Sequence, residues 1–128
     1  MTLSVTPIYA ALMALLFVVL AANVIRLRRA HRVSLGAGKV DALDRAIRAH
    51  GNYSEYVPFA LLLMAFYEVA GASAVEIHVY GLLLLVGRVA HATAIIKKRS
   101  RLPLRVIGMA LTFSVLISCA LRLLFQSL

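Results

Sequence analysis

The sequence predicts an all-α integral membrane protein, a single four-helix up-down bundle spanning residues 1–128, and three observations carry that prediction. Apolar residues make up 62% of the chain, with a mean hydropathy of +0.91. Charged residues make up 15%, against about a quarter in a typical soluble domain. Four apolar stretches, Pro7 to Ile25, Tyr56 to Ala70, Ile77 to Ile96 and Val106 to Leu121, each approach the ~20 residues that cross a hydrocarbon core, the second completed by the helical turns before it. The formal net charge of +9 is gathered between those stretches, not spread over a face with interleaved aromatics, which argues against nucleic acid as a partner.

The first helix is expected over about 7–26. No basic residue precedes it, and its apolar core "IYAALMALLFVVLAANVI" exceeds the ~7–15 residues of a signal-peptide core, so it reads as a retained span. A long basic connection follows, with Arg26, Arg28, Arg29, Arg32 and Lys39. The second helix is expected over about 42–70, with Asp41 as its cap, Asp44 in its first turn, and entry into the membrane near His50 to Asn52. Gly71 to Ser73 makes a tight turn into an antiparallel third helix, about 75–97. A second basic segment, "KKRSRLPLR", holds Lys97, Lys98, Arg99, Arg101 and Arg105, and Pro103 separates the third helix from a fourth over about 105–126. The N-terminus and the "GASAVE" turn carry no Lys or Arg, so the positive-inside rule puts both basic loops in the cytoplasm and both termini outside. The single cysteine, Cys119, lies inside the fourth apolar stretch and reads as a buried thiol.

Several polar residues do not suit lipid. Arg48, Asn52 and Glu55 are spaced i, i+4, i+7 and share one stripe of the second helix. Arg88 and His91 repeat the pattern on the third. An ionisable group facing hydrocarbon costs roughly 2.5–3.5 kcal/mol on the insertion scale, so Glu55 and Arg88 are expected to pair. These groups read either as a network that fixes helix register or as a cationic pocket for a small anion. Glu68, Glu76, His78 and Arg122 read as solvated interfacial groups at the opposite end, with Tyr9, Tyr67 and Tyr80 in an aromatic belt.

"RAHGNYSEYVP", with "RRAHRVS" before it and "GRVAHATA" and "LPLR" after it, resembles the MAPEG family, the membrane-associated proteins in eicosanoid and glutathione metabolism, over Arg28 to Arg105. The likeness is nearest to its microsomal glutathione transferase and prostaglandin E synthase branch. The resemblance implies a homotrimer in a bacterial inner membrane, with glutathione as co-substrate between neighbouring subunits at the cytoplasmic surface. It implies that Arg48, Asn52, Glu55 and Tyr56 bind glutathione with Arg88 and His91 beside them, that Arg29 shapes the site, and that Arg105 holds the thiol as thiolate. A free thiol ionises near pH ~8.5, and a guanidinium at a helix start favours the nucleophilic thiolate, which agrees with that role.

The sequence departs from the family at His50 for a glutamine, at Ile95 for a tyrosine and at Val106 for a serine, and Arg101 is a second candidate for the thiolate role. The expected function is glutathione-dependent transfer to, or reduction of, a lipophilic electrophile entering from the bilayer, with no metal. A non-catalytic membrane protein that binds glutathione or another small anion is the alternative. A proton-coupled transporter using Glu55 and His91 is disfavoured, because no helix is interrupted and no inverted repeat is visible.

Overall fold

The computed structural model describes residues 2–97 and 101–128. It holds four helices, α1 Thr6–His31, α2 Asp41–Val69, α3 Ala74–Ile96 and α4 Leu102–Ser127. Of these α1, α3 and α4 are long and apolar enough to cross a membrane, one fewer than the four spans expected, because the first half of α2 carries Asp41, Asp44, Arg45, Arg48 and Asn52. The chain turns back at each connection, so the helices run alternately up and down. α2 and α3 each touch all three other helices, whereas α1 and α4 make no contact among the described residues. One end of the bundle therefore collects the two basic connections, and the other collects both termini and the α2–α3 turn.

The outer surface is the apolar one. Leu15, Val18, Val19, Val86 and Ile117 all point away from the bundle, the pattern of a helix whose solvent is lipid. Inside, Met13, Tyr53, Met64, Tyr67, Ile77, Leu84 and Val115 form the core. Gly87 and Gly108 bring α3 and α4 into backbone contact, since a Cβ on Gly108 would lie 2.6 Å from the Gly87 carbonyl oxygen.

Four local expectations need correction. α4 begins at Leu102, three residues before its expected start, and takes Pro103 into its first turn, where the missing N–H of a proline costs no helix hydrogen bond. α1 runs five residues past its expected end, to His31, because nothing between Arg26 and His31 breaks a helix and the cations of its last turn, Arg28, Arg29 and His31, complement the helix dipole. It stops at Arg32, whose left-handed backbone (φ 54°) turns the chain so that the following Val33 N–H donates to the Arg28 carbonyl at 3.0 Å. Asp41 does not cap α2: Val40 holds the N-cap position, and Asp41 sits in the first turn, paired with Arg45 one turn on. Glu68 is not a solvated interfacial group either. It is buried against the start of α1, where its carboxylate accepts from the backbone N–H groups of Ser4 (2.8 Å), Val5 (2.7 Å) and Thr6 (2.8 Å) and from the Ser4 hydroxyl (3.0 Å). The free N–H groups of a helix start need an acceptor, and α1 has no capping side chain of its own. At the α2–α3 turn Gly71 takes φ 103°, and Ser73 with Glu76 forms a capping box for α3.

Candidate functional site

The beginning of α2, the end of α3 and the beginning of α4 meet at the basic end of the bundle, because alternating helices place those three termini together. Between them lies a cleft of about 440 Å³ whose walls include Asp41, Asp44, Arg45, Arg48, Asn52, His91, Ile95, Lys97 and Arg105. Asp41 is engaged with Arg45, so Arg48, Lys97 and Arg105 leave an excess of positive charge facing Asp44. A second cleft of about 360 Å³ runs along α4 and is mostly apolar, with Val106, Met109, Ala110 and Phe113. His91 and Arg105 belong to both walls, so the polar and apolar clefts adjoin at those two side chains.

Four residues singled out in the sequence, Arg48, Asn52, His91 and Arg105, thus share one cleft. Arg88 lies behind its wall and does not line it: the side chain is 0% exposed. Its guanidinium donates to Asn52 Oδ1, to Thr112 Oγ1 (3.4 Å) and to Met109 Sδ (3.5 Å), and stands 3.5 Å from His91 Nδ1. Tyr53 and Tyr56 each present a ring centroid 5.8 Å from it, a cation–π arrangement. Its Nε has no partner among the described residues.

The expected Glu55–Arg88 pair is not formed, and Glu55 is exposed. The reason is helical rotation. The buried ridge of α2 runs through Ala46, Ala49, Tyr53, Val57 and Ala60. Glu55 follows Tyr53 by two residues, about 200° around the helix, while Asn52 sits about 100° away at the edge of the ridge and can still reach Arg88.

Tyr56 is half-buried and meets the Phe113 ring edge-on at 5.7 Å. Arg29, Glu55 and Tyr56 line neither cleft. Neither does Arg101, which holds the N-cap position of α4, so of the two candidate arginines only Arg105 reaches the clefts. Among the family departures, Ile95 lines the polar cleft, Val106 lines the apolar one, and His50 stacks on Phe17 at 4.8 Å between centroids. Thr112 and Met109 escape sequence reading as Arg88 partners. The available signal is that Thr112 shares with Arg105, Gly108, Val115 and Cys119 a spacing of three and four residues, one stripe of α4.

Fold and cleft together define a helical integral membrane protein with a cationic cleft opening beside an apolar one. The MAPEG family model matches residues 6–125, and the chain belongs to that family. It is also 45% identical over 87 residues to the inner membrane protein YecN of Escherichia coli K12, and equally to its counterpart in Escherichia coli O6:H1. The match covers 68% of this chain and 66% of the length of those relatives.

Proposed function

We propose that the protein is a glutathione-dependent membrane transferase or peroxidase acting on lipophilic electrophiles. The observation that carries this reading is the position of Arg105 in the walls of both clefts. In the polar cleft Arg48, Asn52 and Lys97 would receive the tripeptide's carboxylates, and Asp44 its ammonium group. That complement of charge suits a zwitterion better than a simple anion. Glutathione supplies a sulfur nucleophile, and Arg105, on the first turns of α4, would hold that sulfur as thiolate beside the apolar cleft. His91 stands at the same junction.

The proposal includes a homotrimer in a bacterial inner membrane, with both basic loops and the site on the cytoplasmic side. The YecN relatives bear an inner-membrane name, and the placement of basic loops follows the positive-inside rule. Glu55 supports the trimer, because an outward carboxylate near the membrane surface is costly unless a neighbouring subunit or a ligand covers it. Arg29, Glu55 and Tyr56, which line neither cleft within one subunit, would then complete the site across the subunit boundary.

Mixing the detergent-purified protein with glutathione at neutral pH should raise thiolate absorbance in the ultraviolet and release protons. Arg105→Leu should abolish both signals. A second reading, a non-catalytic binding protein, is favoured by Ile95 and Val106, which put hydrocarbon where hydroxyls would help hold a thiolate. Glutathione binding without a thiolate signal would support that second reading.

A further inference from the structure

Among the described residues Arg88, a fully buried cation, has no carboxylate partner, and the groups around it fix the direction of their shared hydrogen bonds. A guanidinium only donates. The Thr112 hydroxyl gives its hydrogen to the Gly108 carbonyl at 2.9 Å, so it meets Arg88 with a lone pair. Asn52 can accept from Arg88 only through its amide oxygen, which is therefore turned inward. The Asn52 NH2 group is left for the cleft that Asn52 lines. Arg88 Nη2 also stands 3.5 Å from His91 Nδ1, and because a guanidinium only donates, that nitrogen can meet it only as an acceptor.

We infer that Thr112 and Arg88 are positioning residues that turn the wall of the polar cleft into a donor surface, and that Thr112 thereby sets a preference for a carboxylate at the Asn52 position. Neither side chain lines the cleft, so neither touches a ligand there. The order runs from the α4 backbone through the Thr112 hydroxyl to the α3 guanidinium and then to the α2 amide, so three helices fix the orientation of one NH2 group. With Nε unpartnered among the described residues, Thr112 and Asn52 supply the oxygen acceptors that orient the guanidinium between the Tyr53 and Tyr56 rings. Without the Thr112 hydroxyl the guanidinium can turn, and the amide can present its oxygen to the cleft and repel a carboxylate.

The inference rests on the reading that this cleft binds glutathione, and the test separates the two. Calorimetry in detergent would compare glutathione with its diethyl ester, whose carboxylates are masked. Wild type should prefer glutathione, and Thr112→Val should lower glutathione affinity on the order of tenfold while leaving the ester unchanged. Thr112→Ser, which keeps the hydroxyl, should restore the preference. Equal losses for both ligands in Thr112→Val, or an unchanged preference, would overturn the specificity role.

Melting of Asn52→Asp tests the geometry without any ligand. A carboxylate facing Arg88 should raise the melting temperature, and a melting temperature below wild type would overturn the inward-facing oxygen. If wild type binds neither ligand, the proposed function fails while the Asn52→Asp melt still decides the orientation.

Discussion

The two ends of the bundle treat their charges in opposite ways. At the end that holds the termini, acidic groups are absorbed by the fold: Glu68 caps α1, and Glu76 closes the α3 capping box, accepts from the Tyr67 hydroxyl at 3.0 Å and stands 3.7 Å from Arg122. At the basic end, Arg48, Lys97 and Arg105 share a cleft with few counter-charges, Arg88 is buried against neutral acceptors, and Glu55 points outward. A carboxylate surrounded by backbone N–H groups stabilises its own fold. Cations left facing a cleft are a standing attraction for an anion.

Substitutions at the two ends should therefore have opposite consequences. The largest effect is expected for Glu68→Ala, which strips three backbone N–H groups at a helix start of a charged acceptor. Chemical denaturation in mixed micelles should show a loss of about 3 kcal/mol, with glutathione affinity unchanged. Arg105→Leu should do the reverse. Its turnover of a model aryl halide should fall on the order of tenfold to a hundredfold, about 1.5–3 kcal/mol of lost interaction with a charged sulfur, with unfolding unchanged. Ser73→Ala removes one N-cap and should cost about 1 kcal/mol of stability without touching the site. The smallest effect is expected for Arg101→Leu, which should keep most of the thiolate signal because Arg101 lines neither cleft.

The sequence is a good guide to the helices and a partial one to their partners. Three apolar runs and the punctuation at Gly71 and Pro103 mark α1, α3 and α4, because crossing lipid demands continuous apolar length, whereas the polar first half of α2 leaves that helix short of it. The last turns of α1 are hidden by their own arginines, which look like loop residues until the helix dipole is considered. Glu68 is illegible for a different reason: the backbone it caps lies 62 to 64 residues away, and no local pattern announces such a contact. At the basic end Arg48, Asn52, His91 and Arg105 are all visible as polar residues in apolar helices, and they do converge on one cleft. The partner of Arg88 is misread because a stripe at i, i+4, i+7 is about 60° wide, and that width decides whether Asn52 or Glu55 reaches the core. Thr112 is silent because a threonine in an apolar helix usually returns its hydroxyl to the preceding turn, and here it does so while also accepting from Arg88.

Under the proposed function a division of labour holds between the two ends, in which charge at one serves the fold and charge at the other serves a ligand. It is tested most directly by the rise in melting temperature that saturating glutathione produces in wild type, Glu68→Ala and Arg105→Leu, measured side by side in one detergent. A ligand that binds only the folded state raises the melting temperature in step with its affinity. Glu68→Ala should melt well below wild type yet keep the full glutathione-induced rise, whereas Arg105→Leu without ligand should melt like wild type and lose most of that rise. A full rise in Arg105→Leu, or its loss in Glu68→Ala, would show that the charges are not divided between fold and ligand in this way.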